Sequence, residues 1–149
     1  ESAIKILKGE KIIDQADIDI DIGIYGFIPE EIIPQAELRL SIYKEISSIK
    51  ENKKLEQNKK DFIDRFGDVT SEITNLYELS KLKNIARKLN IFGIQYRDEN
   101  FSLKLADDSR LIPPSSKIRE IKVSAKDIKS DRLTFIMSKL ESFLDKNEI

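Results

Sequence analysis

Polar and apolar residues alternate strictly through the run ADIDIDIGIYGFIP, residues 16–29. A period of two places Ile18, Ile20, Ile22 and Ile24 on one face and Asp17, Asp19 and Asp21, with Tyr25 close by, on the other. This predicts a strand with one buried side. The aspartates also fill the first three ligand places of an EF-hand calcium loop. However, Ile22 stands where that loop needs glycine, and Ile28 where it needs a bidentate glutamate. The β-branched isoleucines between them further disfavour a tight loop. Carboxylates about 7 Å apart along one face suit a solvated edge, where charge discourages pairing with another chain, or a surface facing a basic partner.

Beyond this run the period lengthens. Pro29 and Pro34 hold 28–34 out of a long helix as a stiff, extended connector. From 36 to 50, Leu38, Ile42, Ile46 and Ile49 step at helical spacing, and Leu40 and Tyr43 widen the stripe. A second helix is predicted over 52–66, with Leu55, Phe62, Ile63 and Phe66 inward and Gly67 as the left-handed residue that ends it. A third starts at a Thr70 or Ser71 cap. It runs through Ile73, Leu76, Tyr77, Leu82, Ile85, Ala86 and Leu89 to a stop at Asn90, and its outer face carries Lys81, Lys83, Arg87 and Lys88.

The period then changes again. Residues 91–97 and 101–105 read as a hairpin around Asp98-Glu99-Asn100, and 107–116, with Pro113-Pro114, as a loop. Residues 118–123 and 133–137 read as short strands, and 138–146 as a closing helix through Leu140, Phe143 and Leu144. At the other end, Ala3, Ile4 and Leu7 lie on one side of a helical turn stopped by Gly9. The fold class predicted is α+β: an N-terminal strand, a three-helix segment, then antiparallel strands and a C-terminal helix.

With 149 residues, 40% of them apolar, the chain has material for one compact domain, or one domain and a tail. Its 26 basic and 27 acidic side chains nearly cancel, so no global attraction to nucleic acid or anionic lipid is expected. Cysteine and histidine are both absent. This excludes disulfides, thiolate and histidine metal sites, and the Ser-His and Cys-His nucleophile pairs. Five scattered glycines form neither a phosphate loop nor a dinucleotide fingerprint, and no cofactor is expected. No run approaches the length of a membrane span, and the first residues lack a signal-peptide core. A soluble, cytoplasmic chain without membrane partners is the expectation.

Few residues suggest chemistry. Glu30-Glu31 and Asp107-Asp108 are adjacent loop carboxylates of the ordinary solvated kind, whereas acid–base work needs one carboxyl shifted by burial. The basic face of the third helix could meet phosphates, with Tyr77, Phe92 and Tyr96 stacking on bases. Those aromatics fall on the apolar stripe or in the hairpin strands, where core packing accounts for them. Arg39, between Leu38 and Leu40, either snorkels or fixes a carboxylate with its planar fork. An internal pair with Asp64 and contact with an outside partner are the alternatives, and Arg65 poses the same choice.

In order and spacing, four segments together resemble the C-terminal domain of bacterial transcription-repair coupling factor. They are Phe27-Ile28-Pro29 with Ile33-Pro34; Leu38-Arg39-Leu40-Ser41-Ile42-Tyr43-Lys44-Glu45-Ile46; Phe62-Ile63-Asp64-Arg65-Phe66-Gly67; and Ala86-Arg87-Lys88-Leu89-Asn90-Ile91. The likeness covers 20–105, fades through 107–116 and returns at Arg132-Leu133-Thr134-Phe135. Gln35-Ala36-Glu37 and Asp68-Val69-Thr70 depart from it. Leu7-Lys8-Gly9-Glu10 looks like the end of a preceding translocase domain. The resemblance thus implies that 1–15 close that domain or form a linker, and that 16–149 are a single C-terminal domain.

It further implies a regulatory module with no chemistry of its own. The parent would be an ATP-driven translocase on double-stranded DNA that removes stalled RNA polymerase and recruits nucleotide excision repair. The implied partner is the N-terminal repair-like module of the same polypeptide, docked so as to cover the surface for the damage-recognition ATPase, an autoinhibited arrangement. Arg39, Lys44, Asp64 and Arg65 are the motif residues expected at the dock. A dock that must open is expected to be polar and modest in strength. The alternative is an accessory domain contacting DNA or RNA polymerase through Lys81, Lys83, Arg87 and Lys88.

Overall fold

The computed structural model describes residues 5–7, 10–12, 18–67, 69–106, 119–126 and 131–146. The readings of Gly9, Asp17, Asp68 and the loop at 107–116 lie outside them. The chain forms two compact units, one continuous from Ile24 to Asn84 and one made of the segments on either side, Glu1–Gly23 and Ile85–Ile149.

The split unit is built on a four-stranded sheet in the order β3-β4-β5-β6: β3 (Asp19–Asp21), β4 (Ile91–Arg97), β5 (Asn100–Leu105) and β6 (Glu120–Ser124). It is preceded by a separate antiparallel pair, β1 (Lys5–Leu7) and β2 (Glu10–Ile12), in which Lys5 faces Ile12 and Leu7 faces Glu10. Of the helical turn expected at the start, Leu7 lies in a strand instead, while Ala3 and Ile4 lie outside the described residues. A helical turn fixes several residues for one hydrogen bond, while β-branched Ile6 and Ile12 favour extended backbone.

The strand reading of the aspartate run holds. Asp19 and Asp21 are exposed, and Ile18 and Ile22 on either side of them are buried. β3 is an edge strand and runs parallel to β4, Asp19 opposite Gly93 and Asp21 opposite Gln95. The other pairings are antiparallel. Asp98 and Glu99 turn the β4–β5 hairpin with positive φ of 54° and 61°, both in the sense of a type I′ turn. Asn100, expected in the turn, is the first residue of β5. The ladder register slips between Ile91 and Gly93, and Phe92 between them is exposed rather than packed in the core.

Residues expected as a strand and a helix, 133–137 and 138–146, form one helix, α4 (Arg132–Lys146). Two features decide it. Leu133, Ile136 and Leu140 are all buried at helical spacing, and Asp131 caps the start, its Oδ1 accepting the Thr134 N–H at 2.8 Å. The helix closes over the sheet through Phe135, stacked on Phe101 at 5.8 Å. Arg132 lies over the Tyr96 ring at 4.1 Å and donates to the Ile22 carbonyl at 3.1 Å.

The hydrogen bond from the Thr134 N–H holds the Asp131 carboxyl below the ordinary carboxylate value, against a smaller opposing effect of burial. A depressed folded-state pKa contributes stability above the ordinary carboxylate range and loses it as pH falls through the folded value. Asp131→Ala is expected to destabilise the chain by about 1 kcal/mol at neutral pH. In urea unfolding the difference should shrink on acidification, and Asp131→Asn, also a good cap, should retain most of the neutral-pH stability.

The continuous unit holds α1 (Ala36–Ser48), α2 (Asn52–Phe66) and most of α3 (Ser71–Lys88), whose last turn belongs to the split unit. Its core is Ile28, Ile33, Ile42, Ile46, Leu55, Phe62, Ile73 and Tyr77. Leu40 and Ile63 were expected inward but are 53% and 40% exposed, because the 100° step of the helix carries each off the stripe set by its buried neighbours. The connector is not extended throughout, since the Pro29 carbonyl accepts from the N–H groups of Ile32 and Ile33 and makes a turn. Gly67 ends α2 with φ 86° and ψ −133°, a region essentially restricted to glycine. Thr70 Oγ1 caps α3 by accepting the Ile73 N–H at 3.3 Å, and Asn90, at φ 54°, follows the end of that helix.

Candidate docking surface

The short connection between α1 and α2 makes them antiparallel neighbours. Asn58 Nδ2 donates to Glu45 Oε2 at 2.8 Å and joins the two helices. At 1.5 Å per residue from that pair, the first turn of α1 and the last turn of α2 share one end of the hairpin. This places Arg39 level with Asp64, yet the pair considered from the sequence does not form. Arg39 Nη1 donates to the carbonyls of Ile33 at 2.8 Å and Pro34 at 3.1 Å, and Nη2 is 3.8 Å from Glu30. The physical reason lies in the connector, where chain between two prolines leaves carbonyls in need of donors. Arg39 fastens that connector and is largely withdrawn from solvent.

The other three motif residues are exposed. Lys44 stands on the outer face of α1, one turn beyond Leu40, while Asp64 and Arg65 lie in the last turn of α2. Arg65 rests its guanidinium over the Phe66 ring at 4.8 Å. Asp61, not singled out in the sequence, joins them: exposed, it accepts from Gln57 Nε2 at 3.1 Å one turn before Asp64. On a helix of 3.6 residues per turn, Gln57, Asp61, Asp64 and Arg65 fall within about 100° of arc. The i, i+3 spacing of the two aspartates in Asp61-Phe62-Ile63-Asp64 was the available signal.

The inner side of this arc is locked. Phe62 packs on Phe66 at 4.8 Å and meets the edge of Tyr77 at 6.5 Å. Tyr77, fully buried, donates its hydroxyl to Asn58 Oδ1 at 2.6 Å. Burial chiefly, and then the charges of Glu45 and Asp61, push the Tyr77 hydroxyl pKa well above its ordinary value.

The basic face expected on α3 takes a different form. Lys81 is 17% exposed and its ammonium is bound by Glu56 and Glu78. Lys83 is half-buried, Arg87 has a buried Nε, and of the four only Lys88 is exposed. The reason is that α3 is covered on several sides: Ser80, Leu82, Asn84, Ile85 and Ala86 are all buried. Among the described residues, no cluster of three or more acidic side chains is placed to hold a metal ion, and no helix is long and apolar enough to cross a membrane.

A mixed four-stranded sheet, with a helical segment between β3 and β4 in chain order, defines an α+β fold of a particular topology. A solved structure shares it: the crystal structure of the C-terminal domain of transcription-repair coupling factor superimposes with a TM-score of 0.73, covering 89% of this chain and 94% of that one at 21% identity. Residues 22–116 match the family model described as the TRCF domain. The transcription-repair-coupling factor of Rickettsia conorii is 30% identical over 151 residues, spanning the whole of this chain. That of Escherichia coli is 27% identical over 118 residues, 76% of the chain. The chain belongs to the TRCF domain family, the C-terminal domain of transcription-repair coupling factors. It corresponds to 13% of the length of the Rickettsia conorii relative and 10% of the Escherichia coli one.

Proposed function

We propose that this chain is a non-catalytic regulatory domain that docks on the N-terminal repair-like module of its own polypeptide and masks the surface used by the damage-recognition ATPase of excision repair. The observation that supports this most directly is the exposed acidic arc Asp61–Asp64, flanked by Arg65 and backed by a rigid aromatic core. A charged, solvated surface on a rigid helix suits a conditional dock: complementary charges set orientation and encounter rate, and the contact opens without exposing a large apolar face. Lys44, on α1, is a second charge available to the same partner, whereas Arg39 serves by holding the connector. The rest of the parent, acting on DNA and RNA polymerase with ATP, would be restrained while the dock is closed. The alternative, direct contact of α3 with DNA or polymerase, is disfavoured by the engagement of Lys81 with Glu56 and Glu78.

Calorimetric titration of this chain into the isolated N-terminal module tests the reading. Saturable binding is expected, weaker at moderate than at low salt and reduced roughly tenfold or more by joint Asp61→Arg and Asp64→Arg, with circular dichroism unchanged. If neither the separate pieces nor the two joined by a flexible linker associate, the linker supplying effective concentration, the proposal fails. Steeply salt-dependent binding to duplex DNA in its place would favour the α3 reading.

A further inference from the structure

Tyr25 and Phe27, two residues apart, are 70% and 46% exposed. Exposure alternates from 24 to 28, half-buried, exposed, half-buried, exposed and buried, which puts both rings on one side of an extended segment. The backbone between them is fixed. The Tyr25 carbonyl accepts from Asn75 Nδ2 at 3.2 Å, and the Phe27 N–H donates to the Glu72 carbonyl at 3.2 Å. The Ile28 N–H donates to the Tyr43 hydroxyl at 2.7 Å, and Gly26 lies directly on the α3 backbone at Asn75 and Leu76. Two aromatic rings held out to water on an immobilised backbone are ready-made anchors, because little ordering entropy is left to lose on binding.

Acidic side chains lie near the rings. Glu30 and Glu31 are exposed a few residues on, and Glu72 is half-buried where Phe27 meets α3. From Ile12 to Leu38 the chain holds no lysine or arginine, and Arg39 is held by the connector carbonyls with its Nη2 3.8 Å from Glu30, which leaves Glu31 as the exposed carboxylate nearest the rings. We propose that Tyr25 and Phe27, with Glu31 and Glu72, form a binding strip for an arginine-bearing segment of a protein partner. A planar guanidinium stacks on an aromatic face and pairs bidentately with carboxylates, which suits this combination better than the point charge of lysine. The strip is separate from the α2 arc. α3 meets it through Glu72, Asn75 and Leu76 and meets α2 through Tyr77, Lys81 and Asn84, sets that the helical step places on roughly opposite faces.

The test is an amide NMR titration of this chain with a short synthetic peptide of alternating arginine and glycine, beside a lysine counterpart. Shifts are expected at Tyr25, Gly26, Phe27 and Glu72, with the arginine peptide binding more tightly. Joint Tyr25→Ser and Phe27→Ser should weaken it roughly five- to thirtyfold, and the double variant should keep the parent circular dichroism because both side chains are exposed. Joint Asp61→Arg and Asp64→Arg should leave peptide binding unchanged, which separates this strip from the docking arc. Binding undiminished in the double serine variant, or shifts that map to Asp61 and Asp64, would overturn the proposal. So would no binding at millimolar peptide. Self-association that vanishes in the double variant would assign the strip to a second copy of the chain and overturn it equally.

Discussion

Gly26→Ala is expected to destroy the helical unit as a folded entity. A Cβ on Gly26 would overlap the backbone of Leu76 and come within 2.8 Å of the Asn75 carbonyl carbon. Backbone atoms in the middle of a helix cannot yield as a side-chain tip can, so the segment would have to lift off α3. Lifting breaks the hydrogen bonds from Asn75 to Tyr25 and from Phe27 to Glu72, and draws buried Ile28 out of the core. A loss of about 4 kcal/mol or more is expected, a large share of the roughly 5–15 kcal/mol that stabilises a domain. Thermal melting by circular dichroism measures it, and Gly93→Ala is the control. There the added methyl meets only the Lys104 side chain, at 3.4–3.5 Å, and a change within about 1 kcal/mol is expected. Equal melting of the Gly26→Ala and parent chains would show that the segment does not press on α3.

Phe62→Ala is expected to cost about 3–5 kcal/mol. The ring is buried between Phe66 and Tyr77, and its removal leaves a cavity beneath the arc that carries Asp61 and Asp64. Phe62→Leu refills most of that volume and should cost much less. The pair separates scaffold from surface: Phe62→Ala is expected to lose stability and docking together, whereas reversing Asp61 and Asp64 should lose docking alone. Chemical denaturation beside the calorimetric titration reads both quantities. A Phe62→Ala chain as stable as its parent would place the core of this unit elsewhere.

The strand at 19–21 and the helices at 36–48, 52–66 and 71–88 were legible because their apolar periods are long or strict, and because Gly67, Thr70 and Asn90 punctuate them. α4 was misread as two elements, since Leu133-Thr134-Phe135-Ile136-Met137 is rich in strand-forming side chains, and the decisive signal was one residue outside it, the cap at Asp131. The candidate docking arc was half legible. Asp64 and Arg65 stood out through the family motif, but Asp61 reads as one more solvated charge until its helix face is known. The fates of Arg39 and Lys81 were hidden for a different reason. The carbonyls of Ile33 and Pro34 become acceptors only in the folded connector, and Glu56 meets Lys81 only through packing of α2 on α3. Pairings set by tertiary geometry leave no local mark on the chain.

The parallel register of β3 with β4 has a consequence for synthesis. Asp19 finds its partner Gly93 roughly seventy residues later, so at about 5–20 residues per second β3 leaves the ribosome some 4–15 s before the strand it pairs with. During that interval it lacks its β4 neighbour, and closing so long a loop makes this pairing one of the later contacts to form. Charge on an unpaired edge discourages joining another chain, and the exposed Asp19 and Asp21 supply that charge on β3 before its own sheet exists.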